Sequence, residues 1–270
     1  MAAIITSKFR LDTTDKFVAS LADNQFYMAL GRPNAWADDT SPTTPYENDY
    51  TNNTLWENMV AMKRVDATDI IHSSPRNLWV SGTTYVEYDD QDTNIESKVY
   101  FVISDNNNVY MCLKAGGGTS TVNPDVIGVQ TSGVHATGSD GYVWKYMYTM
   151  TTTQVQNFLT ADFMPVADTL GTVTGGSQST VSTNAVNGEI RRIKITTAGV
   201  GYTNNTYNDV PIRGDGSGGE CRVTISGGAV TAVLVTAQGT GYTYATVYVN
   251  GISGVGSPST AAVLTPIVGP

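Results

Sequence analysis

Asp140-Gly-Tyr-Val-Trp-Lys-Tyr-Met-Tyr148 sets Tyr142, Trp144, Tyr146 and Tyr148 at every second position. Successive side chains of a β-strand point to opposite faces, so all four rings fall on one face of a strand running to about Met150. A strand with one wholly aromatic face is half-buried, and that face packs on a core or on a partner. Ordinary core packing accounts for most of these rings. Upstream, Val99–Ile103 and Val109–Leu113 flank Ser104-Asp-Asn-Asn-Asn108, whose residues tolerate positive φ, and this predicts a β-hairpin. The fold class that follows is mainly β with a few short helices, an α+β arrangement in the N-terminal part.

The helices are brief. Thr14 is placed to cap one reaching about Ala22, with Phe17, Val18 and Leu21 on one face and Asp12 and Asp15 near its positive end. Asn53 or Thr54 begins a second, where Leu55/Met59 and Trp56/Val60 are i, i+4 pairs. Thr151 to Leu159 suggests a third. Between the first two, residues 31–50 carry Pro33, Pro42, Pro45 and many Asp, Asn and Thr, the composition of a long loop.

Composition shifts after residue 170. Residues 171–187 are a Gly/Ser/Thr-rich stretch with almost no large apolar side chain, read as a linker between a β-rich domain, 1–170, and an all-β domain, 188–270. The latter shows a period of 40 residues. Gly188, Ile190, Ile193, Gly199, Gly201 and Tyr202 recur as Gly228, Val230, Val233, Gly239, Gly241 and Tyr242, and Val223 aligns with Val263. Each unit reads as strand, Gly-x-Gly-Tyr-Thr turn, strand, glycine-rich turn, strand, and two copies together bury what one alone does not.

Charge is uneven. Residues 1–170 hold 20 acidic and 10 basic side chains, whereas from Val223 to Pro270 there is none of either sign. The low charged fraction, 14%, and a pI near 4.5 argue against a nucleic-acid partner. The uncharged end either lies against something or is solvated by Thr, Ser, Asn and Gly. Cys112 and Cys221 are too few and too far apart for a disulfide framework or a zinc site. The apolar start, Ala2 to Ile5, is too short for a signal-peptide core, and no stretch approaches the ~18 apolar residues of a membrane span. The chain reads as soluble, made in a reducing cytoplasm, with no membrane partner.

Few residues are arranged for chemistry. Gly116-Gly-Gly118 and Gly214-Asp-Gly-Ser-Gly-Gly219 lack the Lys-Ser/Thr pair and following helix of a phosphate loop, and read as turns. Asp90-Gln-Asp-Thr-Asn94-Ile-Glu96 alternates oxygen donors, yet Ile95 and Phe101 stand where a calcium loop needs glycine and glutamate. His72 and His135 belong to no ligand-spaced cluster, and no Gly-x-Ser-x-Gly occurs. The expectation is no enzyme activity, no metal and no cofactor.

Several segments, in order, carry a resemblance. They are Ile4-Ile-Thr-Ser-Lys-Phe-Arg10, Gly31-Arg-Pro-Asn-Ala-Trp36, Pro42-Thr-Thr-Pro-Tyr46, the helix with Trp56 and Met59, and Lys63-Arg64-Val65. Pro75-Arg-Asn-Leu-Trp79, Val109-Tyr-Met-Cys-Leu113, Ser120-Thr-Val-Asn-Pro124 and the Asp140–Tyr148 run complete the set. Over about residues 3–166 the chain resembles the dimeric baseplate wedge protein of T4-like contractile-tailed bacteriophages. The resemblance implies a structural virion protein, a homodimer within each wedge that bridges other wedge proteins, with tail-fibre or peripheral tail components nearby. It implies location in the tail baseplate, after assembly in the host cytoplasm. The chain departs from the pattern in its shorter middle loops and in the two-copy repeat that replaces the family's C-terminal region. The repeats themselves are similar, less closely, to those appended to phage tail proteins.

Candidate interaction or structural residues are therefore Arg32, Pro33, Trp36, Trp56, Trp79, Tyr142, Trp144, Tyr146, Tyr202 and Tyr242. Pro33 fixes its own φ and restrains Arg32, so Trp36 is aimed at one place and expected to be buried. An alternative reading makes the chain a tail-associated binding module. Its C-terminal tyrosines, Tyr202, Tyr207, Tyr242, Tyr244 and Tyr248, would then engage a tail fibre or a host surface glycan.

Overall fold

The computed structural model describes residues 7–31, 38, 40–41, 56–128, 135–166 and 176–269. Strand outweighs helix, 40% against 18%, and the strands lie in several small sheets, none closed. Contacts divide the chain into two units, Met1–His72 and Ser73–Pro270.

In the first unit, helix α1 spans Ser7–Ser20 and strand β1, Phe26–Gly31, pairs antiparallel with β2, Met59–Val65. The helix begins seven residues before the capping position expected at Thr14. Thr14 instead sits inside it and donates its hydroxyl to the Arg10 carbonyl at 2.9 Å. Asp12 is thus mid-helix, where it pairs with Lys16 one turn on rather than with the helix dipole. Phe17 meets Phe26 edge-on at 5.4 Å, and Leu21 is buried. The second expected helix is corrected at its C-terminal end: among the described residues only Trp56 and Glu57 are helical, and Met59 onward is strand. Val60 and Val65 favour extended backbone, and β1 supplies a ladder that outweighs the i, i+4 pairing.

In the second unit, β4, Phe101–Ile103, β5, Asn108–Lys114, and β6, Val143–Thr149, form a sheet in the order β4-β5-β6. The expected hairpin is present, with Asn107 at φ 60 closing its turn. Strand β3, Ser73–Pro75, pairs with β7, Phe163–Pro165. Helix α2, Pro124–Ile127, is capped by Asn123, and α3, Thr152–Phe158, by the Thr151/Gln154 box. The third expected helix is therefore found almost where the sequence puts it.

The segment read as a linker holds helix α4, Gly176–Thr183. Its one branched apolar residue, Val181, packs against the core around Tyr85, Tyr142 and Trp144. Both flanks of residues 171–187 lie in the second unit. Arg192 donates to the Leu113 carbonyl at 2.7 Å and pairs with Glu87, and Lys194 pairs with Asp89 at 2.9 Å.

Past α4, β8, Ile190–Thr197, pairs with β14, Val263–Val268. Strands β9, Asn205–Pro211, β11, Ser217–Ser226, and β12, Ala229–Thr240, form a sheet in the order β12-β11-β9. The two-residue strands β10, Arg213–Gly214, and β13, Ala245–Thr246, pair with each other. Ile190, Val210, Cys221, Val223, Val235, Tyr242, Val247 and Leu264 are buried together as the core of this part. In the uncharged stretch the larger apolar side chains mostly turn inward, while Thr, Ser, Asn and Gly hold much of the surface.

Candidate functional site

Three of the four rings expected on one face of β6 lie together, whereas a bulge pairs Tyr148 with Val109 and turns it to the other face. Tyr142, Trp144 and Tyr146 are all buried, with Tyr142 at 0% exposure. Tyr142 and Trp144 stack at 5.8 Å, Tyr85 meets both edge-on, and Tyr146 meets Tyr110 at 5.9 Å. The Tyr142 hydroxyl donates to the Gly118 carbonyl at 2.7 Å and accepts the Tyr85 N–H at 3.2 Å, which satisfies a polar atom that burial would otherwise penalise. The Gly116–Gly118 turn is thus held by the aromatic core. Half-buried Trp79 donates to Ser120 Oγ at 3.1 Å. These residues are scaffold, not a surface.

Two carboxylates not singled out from the sequence organise the loops around that scaffold. Asp140 accepts the Thr121 and Val122 N–H groups at 2.8 and 3.0 Å through one oxygen and the Tyr142 N–H at 3.1 Å through the other. Asp125, in the first turn of α2, accepts from Asn106, Asn108 and the Tyr110 hydroxyl at 2.8–2.9 Å and so ties the β4–β5 turn to the helix. For both, burial opposes ionisation, but these donors outweigh it and hold the carboxyl below the ordinary range. The sequence signals are an Asp-Gly turn for Asp140 and the helix start Asn123-Pro124-Asp125.

A group of basic side chains is buried nearby. Lys145 is 7% exposed with no ion pair among the described residues, and the Arg191 side chain, also 7% exposed, pairs with Glu189. Burial, then Arg191, pushes Lys145 down to about 8, with Glu189 opposing. Burial, then Lys145 and Arg191, pushes His135 down to about 4. Cys112 and Cys221 are free and buried, and burial pushes both thiols up to about 12, far from a reactive thiolate. Among the described residues no group of three or more His, Cys, Asp or Glu could hold a metal ion. No helix among them is long and apolar enough to cross a membrane.

Among the described residues, exposed large apolar side chains are denser in the first unit than in the much longer second unit. Phe9, Leu11 and Phe17 on α1, Tyr27, Met28 and Leu30 on β1, and Val60 and Met62 on β2 all face solvent. Trp56, just before β2, is 63% exposed. In the ladder, Tyr27 opposes Arg64 and Ala29 opposes Met62, while Met28 opposes Lys63 and Leu30 opposes Ala61, so each face of the hairpin presents apolar groups. Arg32, Pro33 and Trp36, and with them the expected burial of Trp36, lie outside the described residues.

In the C-terminal part the candidate tyrosines separate. Tyr202, Tyr207 and Tyr242 are buried; Tyr202 donates to Asn250 at 2.6 Å and Tyr242 to the Ile212 carbonyl at 3.0 Å. Tyr244 and Tyr248 remain exposed. Asp215, in the glycine-rich 214–219 loop, accepts from the Thr243 hydroxyl and from the Thr243 and Tyr244 N–H groups. That loop therefore clasps the Gly-x-Gly-Tyr-Thr turn of its own chain.

Compared with known proteins, the chain matches no protein-family model and no curated protein.

Proposed function

We propose that the chain is a structural virion protein, a subunit of the tail baseplate wedge of a contractile-tailed phage. In this reading it self-associates through its N-terminal unit and bridges wedge neighbours and peripheral tail components. The ordered motifs over residues 3–166 support it. The observation that carries it is the solvent-facing apolar set on α1, β1 and β2, with Trp56 beside it. Exposed apolar groups concentrated in a small unit mark a surface that is covered in use. A two-stranded sheet is marginal by itself, so a partner that covers it also completes it. The uncharged C-terminal strands would then face assembled tail rather than open solvent. An antibody against the chain should decorate the tail end of the virions that encode it. Labelling confined to the head, or absent from intact virions, would count against the reading.

We further read residues 188–270 as two copies of one unit. The Tyr202 N–H donates to the Gly228 carbonyl at 3.0 Å, and the counterpart Tyr242 N–H donates to the Gly188 carbonyl at 3.1 Å. The Tyr242 hydroxyl accepts the Gly219 N–H, and the Tyr202 hydroxyl accepts the Ala262 N–H. Pairs Cys221↔Val235, Val223↔Val233 and Ile225↔Val230 have counterparts in Leu264↔Ile195, Pro266↔Ile193 and Val268↔Ile190. The final strand is thus offset by 43 residues instead of 40, which makes Pro266, not Val263, the partner of Val223 in the comparison. Three extra residues before β14 account for the difference.

A further inference from the structure

A cleft of about 430 Å3 opens in the C-terminal part where segment 206–213 faces segment 248–253, stretches that occupy matching places in the 40-residue period. Its size falls within the range of about 300–1,000 Å3 common to small-molecule sites. Two tyrosines line its wall, Tyr207, which is buried, and Tyr248, which is 61% exposed. The ring is nevertheless held: a Cβ on Gly251 would stand 2.7 Å from Tyr248 Cδ1, so the ring edge rests on the glycine backbone. A large apolar face kept in water and in one place is a surface prepared for a ligand with a flat apolar side.

The polar lining is equally specific. In the β9–β11 ladder Tyr207 pairs with Val223 and Val210 with Cys221, so Asn208 and Asp209 together oppose Arg222 alone. That is a β-bulge, a device that takes side chains out of the ladder and re-aims them. Asp209 sits there at φ 52, a conformation that residues with a Cβ rarely adopt. Asn208 and Asp209 are exposed and line the cleft with Arg213, Thr206 and Ser253. The fixed charges are one carboxylate and one guanidinium, which sum to zero. The ligand that fits is therefore neutral, rich in hydroxyls that both donate and accept, and apolar on one face.

We infer that this cleft binds a neutral saccharide, with a sugar ring lying on Tyr248 and its hydroxyls hydrogen-bonded to Asp209, Asn208 and Arg213. The inference rests on the cleft alone and stands whether or not the chain belongs to a baseplate wedge.

Saturation-transfer NMR on the full chain tests it, with glucose, galactose, mannose, N-acetylglucosamine, rhamnose, lactose, cellobiose and chitobiose as probes. At least one should receive saturation at its ring C–H protons, with a Kd near or below about 10 mM. Tyr248→Ala should weaken that binding at least about tenfold, as expected for loss of one stacking contact. Asp209→Asn, which keeps a residue tolerant of positive φ, should weaken it too while leaving the melting temperature unchanged. Tyr244→Ala, exposed but outside the cleft, should bind as the parent does. No transfer to any of the eight sugars at about 50 mM would overturn the inference. So would transfer that survives both Tyr248→Ala and Asp209→Asn.

Discussion

The Tyr242 amide donates to the Gly188 carbonyl at 3.1 Å, joining the Gly239–Thr243 turn to the residues just before β8. Gly188 has φ +67, and a Cβ there would come within 2.5 Å of both the nitrogen and the oxygen of Tyr242. The contact therefore depends on glycine twice, through backbone conformation and through space.

Gly188→Ala is accordingly expected to destabilise the second unit by more than the ~1–2 kcal/mol that the left-handed conformation costs an L-residue. Gly227→Ala is the control, since its φ is +64 but nothing lies within 4 Å of the added methyl. It should show the backbone cost alone. Urea denaturation of the two variants measures both, and equal losses would mean that the Gly188–Tyr242 approach is unimportant.

Lys145 sets a pH dependence. Its folded-state pKa of about 8 lies below the ordinary 10.5, so between these values the unfolded chain binds more protons than the folded one. The penalty is complete below pH 8, and stability should rise from pH 8 to 10.5, by at most roughly 3 kcal/mol from this group. Lys145→Met removes a buried charge that lacks an ion pair among the described residues, and should be more stable than the parent at pH 7 without that alkaline rise. Denaturant midpoints across this window check it, and a flat profile in the parent would contradict it.

Asp125 should matter to the β4–β5 turn more than its position on a four-residue helix suggests. Asp125→Ala leaves Asn106, Asn108 and Tyr110 without their acceptor, at an expected cost of about 2–3 kcal/mol. Asp125→Asn retains one acceptor oxygen and should cost about half as much. Because the folded carboxyl lies below its ordinary pKa, its contribution is present above about pH 4 and is lost on acidification. Hydrogen exchange at the Asn107 and Asn108 amides reads the turn directly, and unchanged protection in Asp125→Ala would contradict this assignment.

Strand order around the hairpin was legible because its signals are local. Val99 to Leu113 alternates around an Asn-rich turn, and Thr151 and Gln154 stand at capping spacing. The aromatic face of β6 is legible for Tyr142, Trp144 and Tyr146, but the bulge that turns Tyr148 to the other face is not; period alone does not separate core from contact surface either, because the deciding neighbours, Tyr85 and Tyr110, lie far off in sequence. Met59 and Val60 read as helix because the strand they join has its partner, β1, more than 25 residues upstream, where local propensity carries no signal. The 171–187 segment looked empty because a single Val181 suffices to anchor a short helix. At the cleft, Tyr248 was visible as one tyrosine among five, whereas the bulge that places Asn208 and Asp209 beside it leaves no mark in composition.

The exposed apolar groups of the first unit are expected to be covered by a second copy of the chain. Sedimentation equilibrium of the purified 28.8 kDa chain measures this most directly. The mass is predicted to be twice the chain mass, and Leu30→Lys combined with Val60→Lys, which charges the exposed hairpin, should return it to one. A folded parent protein that stays at a single chain mass up to about 100 μM, where even a dimer with micromolar affinity is formed, would contradict it.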